Sequence, residues 1–344
     1  MMGAREPIVK GDLLRELGES YLARDFRLRM FKAFLILSAF GAAYGALLVF
    51  DLPIYVSVVT TVALAILNYA IVACIGHDAV HGVFSRSKPV NEVALLALDF
   101  SGVNGLLWRG RHMEHHRETN DIVRDPDIRG MPWMRMTPYD RWMAHHRLQA
   151  IYIPLIYALT ILKVQVFDEV GFIRNAPKRK RMGLLARSLI GKTVFVTWSM
   201  AIPIVVHGSG AIPFVILGYC TLSMIVSVIF QVAHNVPGVT HVQTSLAGAG
   251  REHWLRHQIG ATTNFRVGPL TDFFVGGLDR QIEHHLFPHL PHTQLPIKEV
   301  ATREMCKKLM VEYKNERSLG GAFWSHLRYL HLLGNNRQVI NLST

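Results

Sequence analysis

Long apolar stretches alternate with polar regions along the chain. Residues 33–50 (AFLILSAFGAAYGALLVF), 52–76 and 208–230 carry no charged side chain, and residues 188–206 carry only Lys192. A helix needs about 20 apolar residues to cross the hydrocarbon core of a bilayer. The pattern therefore predicts an all-α integral membrane fold with four transmembrane helices, arranged as two hairpins.

Two further apolar segments do not fit the transmembrane pattern as well. Residues 93–108 are too short and contain Asp99 and two glycines, whereas residues 148–167 are long enough but contain Lys163. If only one of them crossed the membrane, the histidines before and after it would face opposite sides. We therefore expect both segments to be interfacial or re-entrant helices.

The distribution of positive charge predicts the orientation. The chain of 344 residues has 37 lysines and arginines and a formal net charge of +12. The two short turns, near Asp51 and at 207–210, contain none of them. The positive-inside rule then predicts a single multi-pass membrane domain over residues 1–344, with cytoplasmic regions at 1–30, 77–187 and 231–344. Basic residues that flank membrane spans indicate lipid contact and topology rather than a nucleic-acid partner.

The N-terminal 30 residues are polar and charged, and no cleavable signal peptide is expected there. The cytoplasmic regions would form a histidine-rich cap over the predicted spans.

Histidines gather in short clusters with helical spacing. His77 and His81 lie four residues apart in 76-GHDAVHG-82, so on a helix they share one face. The stretch 111-RHMEHHRETND-121 places three histidines at i, i+3 and i+4, and 280-RQIEHHLFPHLPH-292 repeats this spacing with Gln281 in the first position. His234 lies at the cytoplasmic end of the last predicted span.

The clusters together predict a metal centre. Each falls on the same predicted side of the membrane, where the spans would bring the clusters together. Imidazole is a suitable ligand for zinc, copper, iron and nickel, and a zinc site needs about four ligands. Eight clustered histidines are enough for two metal ions, so the sequence favours a dinuclear site over one structural zinc.

The order HxxxH, HxxHH and QxxHH on four spans resembles the membrane fatty-acid desaturase family. GHDAVHGVFSRS, Trp108–Arg109, the TTNF of residues 262–265 and GGLDRQIEHHLFPHLP also resemble that family, over about residues 35–334. The glutamine in the third motif resembles the front-end branch, which inserts a double bond toward the carboxyl end. The resemblance implies an enzyme that uses two non-haem iron ions, O2 and two electrons to introduce a double bond into a fatty acyl chain.

The resemblance also implies the ligands of the two irons. They would be His77, His81, His112, His115, His116, His234, His284 and His285. Gln281 stands where relatives have a further histidine, and Asn235 follows His234; either would coordinate weakly, hold a metal-bound water or support the ligands from outside. Acidic residues near the motifs, Asp125 and Asp127 above all, would accept hydrogen bonds from ligand histidines.

The partners follow from the same resemblance. We find neither the HPGG haem motif of a fused cytochrome b5 nor a GxGxxG fingerprint. The expected electron donor is therefore a separate protein, either a ferredoxin or a free cytochrome b5 with its reductase, docked on the basic surface. The other expected partners are membrane lipid and an acyl substrate, which the sequence leaves open between a CoA thioester, a carrier-protein thioester and a lipid.

Three alternatives remain open at the level of sequence. A sister reaction on the same scaffold would be hydroxylation, acetylenic-bond formation, or oxidation of a sphingolipid or carotenoid. A zinc-dependent membrane hydrolase would need one zinc and no O2. A metal transporter would need ionisable residues inside the spans, and the predicted spans are nearly free of them.

Overall fold

The chain is mainly helical. The computed structural model describes residues 18–128, 132–243 and 250–335, with side chains from residue 25 onward, so the first part of the predicted segment 1–30 lies outside the described residues. The described part of that segment is already helical, because helix α1 begins at Gly18.

Long apolar helices form the membrane part of the molecule. The first two are α1 (Gly18–Val49) and α2 (Ile54–Ile71), and α2 continues through a π-helical turn at Val72–Gly76 into α3 (His77–Val80). The helix α1 begins 15 residues before the predicted span 33–50, and the helical stretch from α2 through α3 ends four residues after the predicted span 52–76.

Three helical stretches of the described residues, Asp25–Val49, Ile54–Val80 and Lys178–His234, are long and apolar enough to cross a membrane. The number rises to as many as five if each of two bent helix pairs counts as one span. The fold is thus that of an all-α membrane protein, and the count of four spans stays a prediction.

The longest of these stretches folds back on itself. Along one straight helix, residues 195 and 219 would be about 36 Å apart. The ring centroids of Phe195 and Tyr219 are instead 6.3 Å apart. The chain turns at Gly208, where φ is +63°, a conformation that glycine adopts without steric cost.

The two bent helix pairs occupy the region between the long helices. The first contains α4 (Lys88–Ala94), α5 (Leu96–Phe100) and α6 (Gly105–Arg117) and is bent by 99°. The second pair is bent by 74°. Its elements are a 3-10 turn (Ala144–Leu148), α7 (Gln149–Tyr157), α8 (Thr160–Leu162), a π-helical turn (Lys163–Asp168) and α9 (Glu169–Asn175).

The chain segments at the two ends of the first bent pair lie close together. His77, before the pair, lies with its Nε2 atom 3.0 Å from the Nε2 atom of His112, which is in α6. Both ends of this segment therefore lie at one cluster, and the re-entrant placement of residues 93–108 stays a prediction.

The long helix after the bent pairs is fixed to them by ion pairs. This region comprises α10 (Lys178–Val196), a π-helical turn (Thr197–Ala201), α11 (Ile202–His207), a 3-10 turn (Gly208–Ala211) and α12 (Ile212–His234). Lys192 pairs with Glu169, and Arg187 pairs with Asp99 at 2.6 Å. Charge pairing therefore accounts for the one lysine in the apolar stretch 188–206.

The C-terminal third completes the cap around the end of α12. Its elements are α13 (Arg251–Gly260), β1 (Asn264–Phe265), α14 (Pro269–Val275), α15 (Gln281–Leu286), a 3-10 turn (His292–Gln294), α16 (Leu295–Lys308), β2 (Asn315–Glu316) and α17 (Leu319–Gly334). The two short strands are parallel, with Asn264 opposite Asn315. The all-α expectation did not include this pair, because two-residue strands have no alternating pattern to recognise.

A large cavity lies between the long helices. Its volume is about 620 Å³, and its walls are mostly apolar, formed by residues such as Tyr44, Leu64, Phe195, Trp198, Phe214 and Leu222. Thr61 and Asn68 also line it. Asn68 precedes His77 by about 14 Å of helix, so the cavity begins about that far from the first histidine.

Candidate metal centre

The fold brings the eight histidines singled out from the sequence into one buried cluster. They come from the end of α2–α3, from α6, from the last residue of α12 and from α15. Seven are buried, and His81 is partly exposed. Four distant segments of the chain thus converge at one place, as expected of clusters that the long helices bring together.

Four of these residues form what we term the first histidine group: His77, His81, His112 and His284. The Nε2 atom of His112 lies 3.0 Å from the Nε2 atoms of both His77 and His81. The ligand atoms of the four residues all lie within 4.8 Å of one another.

Three more residues, His115, His234 and His285, form the second histidine group, with ligand atoms also within 4.8 Å of one another. Each Nδ1 atom faces a protein oxygen. The Nδ1 atom of His115 faces the Asp125 carboxylate at 2.9 Å. That of His234 faces the Ala261 carbonyl at 3.3 Å, and that of His285 faces the Gln258 side-chain oxygen at 3.1 Å. Since those oxygens accept, each Nδ1 donates, and each Nε2 is left with its lone pair.

His116 lies between the two groups. Its Nε2 atom is 3.0 Å from that of His112 and 2.9 Å from that of His284. Its ring stacks on the ring of His285, with centroids 4.2 Å apart. His116 is therefore in contact with both groups.

The donor set fits bound cations. The single in-plane site on the His112 Nε2 atom faces three other imidazole nitrogens at 3.0 Å, those of His77, His81 and His116. One hydrogen can satisfy only one of these contacts. In the second group, the Nε2 atom of His285 is buried without a hydrogen-bond partner. Lone pairs that face one another in a buried space are stabilised by a metal ion, and imidazole is a good ligand for several transition metals.

Burial keeps the imidazoles of His284 and His285 neutral. Burial, together with neighbouring histidines, lowers the pKa of His284 and of His285 well below the usual value. A neutral ring can donate an electron pair to a metal, whereas a protonated ring cannot. These two rings are therefore in the protonation state that metal binding requires. At His115 burial lowers the pKa, but the charge and hydrogen bond of the Asp125 carboxylate outweigh it, so the pKa is raised.

Asp125 and Asp127 support the cluster from outside. Asp125 is fully buried, and its carboxylate accepts hydrogen bonds from the backbone nitrogens of Asn120 and Asp127, each at 2.8 Å, as well as from His115. Asp127 is 3.8 Å from the Nδ1 atom of His115 and pairs with Arg111. Both acidic residues thus lie where they can orient His115.

Gln281 and Asn235 lie next to the cluster but outside both groups. The Nε2 atom of Gln281 donates to the Leu278 carbonyl at 3.1 Å. The Nδ2 atom of Asn235 donates to the side chain of Gln231 at 2.8 Å, and its Oδ1 atom is buried without a partner. The side-chain oxygen of Asn235 is therefore available to accept a hydrogen bond or to bind a metal.

Several supporting residues were not predicted from the sequence. Gln258 accepts from His285, and its amide group donates to the His116 carbonyl at 3.0 Å. Asn264, in the TTNF stretch, accepts from the backbone nitrogen of Ile282 and donates to Glu283, which fixes the start of α15. None of these pairs has a characteristic spacing in the sequence.

Two histidines outside the clusters also contact this region. His292 lies with its Nδ1 atom 2.9 Å from Asp78 and its Nε2 atom 3.0 Å from the Lys32 amine. His326 is fully buried in α17, and burial lowers its pKa to about 4, so its ring is neutral. Neither residue belongs to a histidine group.

The chain belongs to the fatty acid desaturase family. The family model described as "Fatty acid desaturase" matches residues 52–316. An sn-1 linoleoyl-lipid 6-desaturase from Synechocystis sp. is 30% identical over 313 residues, which cover 87% of this chain and 85% of the relative.

Other relatives are an acyl-lipid (7-3)-desaturase from Rebecca salina and an sn-1 linoleoyl-lipid 6-desaturase from Arthrospira platensis. The first is 32% identical over 76% of this chain and 60% of the relative, and the second is 28% identical over 77% and 74%.

Membership of this family makes the protein an oxidoreductase that acts on fatty acyl chains in a membrane. The resemblance seen in the histidine motifs is thereby confirmed. The hydrolase and transporter alternatives find no support, and the buried histidines are compatible with a metal site.

Proposed function

We propose that the protein is an O2-dependent desaturase with two non-haem irons, one in each histidine group. The ligands would be the eight clustered histidines, His77, His81, His112, His115, His116, His234, His284 and His285. The observation that carries this proposal is the convergence of imidazole nitrogens into two adjacent buried groups. When bound, the irons would supply the O2 activation needed to remove hydrogen from an unactivated methylene, which no side chain can do unaided.

The protein's own residues would orient the ligands and exclude water. Hydrogen bonds at Nδ1 hold the protons of the second group away from the metal position and direct the lone pairs inward. Burial of the cluster keeps bulk water from the reacting carbon. Asn235, with its unpartnered oxygen, would hold a metal-bound water, and Gln281 would support the site from outside.

The substrate that we propose is an acyl chain carried by a membrane lipid. The relatives named above act, by their names, on lipid-linked chains. The apolar cavity would receive the part of the acyl chain farthest from its carboxyl end. The α2 residues that line the cavity lie away from the histidines, toward the start of that helix. The glutamine of the third motif supports insertion of the double bond between an existing one and the carboxyl end.

The remaining features of the proposal concern topology and partners. The chain would be one domain with four spans, with its termini and histidines on the cytoplasmic side, where the positive charges lie. Electrons would come from a separate acidic carrier, a ferredoxin or cytochrome b5 with its reductase, attracted to the basic surface.

The test uses the full chain, purified in detergent. Metal content is measured by mass spectrometry, and O2 uptake is measured with a reductant and linoleoyl phospholipid, with products identified by gas chromatography. His115→Ala removes a proposed ligand, and His253→Ala, at an exposed histidine, is the matched control.

We expect two irons, reductant-dependent O2 uptake and a chain with one more double bond. His115→Ala should lose iron and activity, whereas His253→Ala should retain both. One zinc without O2 uptake would overturn the proposed mechanism. A hydroxylated or acetylenic product with two irons would overturn the proposed reaction and retain the proposed centre.

A further inference from the structure

His326 links two distant helices to the end of α12. Its Nδ1 atom is 2.6 Å from the backbone oxygen of Asn235, and its Nε2 atom is 2.6 Å from the hydroxyl oxygen of Tyr157 in α7. His326 itself is in α17 and is completely buried, as is nearly all of Tyr157. The three partners lie far apart in the sequence, so the contact depends on the tertiary fold.

The chemistry of the partners fixes the direction of both hydrogen bonds. A carbonyl oxygen has no hydrogen, so the Nδ1 atom of His326 must donate to Asn235. In the neutral ring the Nε2 atom is then an acceptor, and the Tyr157 hydroxyl donates to it. The tyrosine therefore holds the histidine in the one tautomer that can bind the Asn235 carbonyl.

The position of that carbonyl makes the contact important for the second histidine group. Asn235 directly follows His234 and ends α12, at φ −127° and ψ 62°. The last carbonyls of a helix have no partner within the helix. His326 supplies the missing donor, and it thereby fixes the backbone at the point from which the side chains of His234 and Asn235 project.

We propose that His326, held by Tyr157, is a positioning residue for the second histidine group. It is not a ligand; it sets the direction of the His234 imidazole through the peptide that follows His234. This inference rests on the proposed function, because it assigns a task that matters only if the second group binds metal.

The test compares four variants by metal content and by the rate at which a chelator removes the metals. His326→Phe fills a similar space without a donor, whereas His326→Gln restores an amide donor. Tyr157→Phe removes only the group that holds the tautomer. Tyr329→Phe is the matched control, because it removes a buried hydroxyl that donates to the Met136 carbonyl from the same helix as His326.

Loss of an outer partner of a metal ligand lowers metal affinity about 10–100-fold. We expect His326→Phe to lose one of two metals per chain, and His326→Gln to keep both. Tyr157→Phe should release half of its metal about tenfold faster than wild type. Tyr329→Phe should release metal at the wild-type rate.

Equal metal content and release rates in wild type, His326→Phe and Tyr157→Phe would overturn the inference. If His326→Phe does not fold, Tyr157→Phe against Tyr329→Phe decides the question, and equal rates in that pair overturn the inference. Failure of the proposed function would give a different result, because the wild-type protein itself would then not bind two metal ions.

Discussion

The two histidine groups differ in what orients their imidazoles. In the second group, all three Nδ1 atoms face protein oxygens, from Asp125, Ala261 and Gln258. In the first group, the Nδ1 atoms of His81 and His112 are buried without hydrogen-bond partners among the described residues. Hydrogen bonds thus orient the imidazoles of the second group before a metal binds, and we call this group prepared in that sense. The geometry of the first group depends more on the metal that would bind there.

This difference has a consequence for metal binding. A site whose ligands are already oriented loses less conformational freedom when the metal arrives. His81 is also the one partly exposed member of the cluster, so the first group is nearer to solvent. We therefore expect the second group to hold its metal more tightly than the first.

The largest expected effect is that of His112→Ala. This residue contacts three other imidazoles, so its loss should remove the metal of the first group and reduce desaturation below detection. The prepared second group should keep its metal, and metal analysis should show a fall from two irons to one. Complete loss of metal would show that the two groups are not independent and would break the comparison.

The next effect concerns Asp125→Asn. The variant keeps the shape of the side chain but weakens the charged acceptor for His115. Affinity for the metal of the second group should fall about 10–100-fold, as measured by competition with a chelator. Asp121→Asn is the control, because Asp121 is equally buried in the same loop and pairs with Arg124 instead of a histidine. Equal affinities in the two variants would contradict the assigned role.

A smaller effect is expected for Gln258→Leu. This change removes the nearer of two oxygens that face the Nδ1 atom of His285, the other being that of the Thr119 hydroxyl at 3.2 Å, and it leaves the charged partner of His115 in place. Affinity of the second group for metal should fall about tenfold in the same competition. Thr262→Val is the control, since it removes a buried hydrogen bond to the Gln258 carbonyl without touching a histidine. A similar loss in both variants would indicate general destabilisation of α13.

The same comparison shows how far the sequence predicts the site. Helical spacing was enough to identify seven of the clustered histidines, among them His77, His112 and His284, because residues at i, i+3 and i+4 share a face in any helix. His234 was identified instead by its position at the end of the last predicted span. The partners that prepare the second group left no such signal. Gln258 is one glutamine among many, and the partner of His234 is a backbone carbonyl, which any residue at position 261 would supply.

The fold, like the site, could be predicted from the sequence only in part. Uninterrupted apolar runs predicted the long helices, because a span needs a minimum length of apolar sequence. The bends inside residues 88–117 and 144–175, and the parallel pair of β1 and β2, depend on contacts between distant segments. Local pattern could indicate that these segments were unusual, but it could not determine their geometry.

The smallest expected effect is a difference in release rate within the wild-type protein. Because the first group is less prepared and nearer to solvent, a chelator should remove the two metals in two phases, the faster from the first group. His81→Ala, which removes a first-group ligand, should show only the slow phase, and His253→Ala should show both. A single phase in wild type, or loss of the slow phase in His81→Ala, would mean that the hydrogen bonds at Nδ1 do not set the order of release.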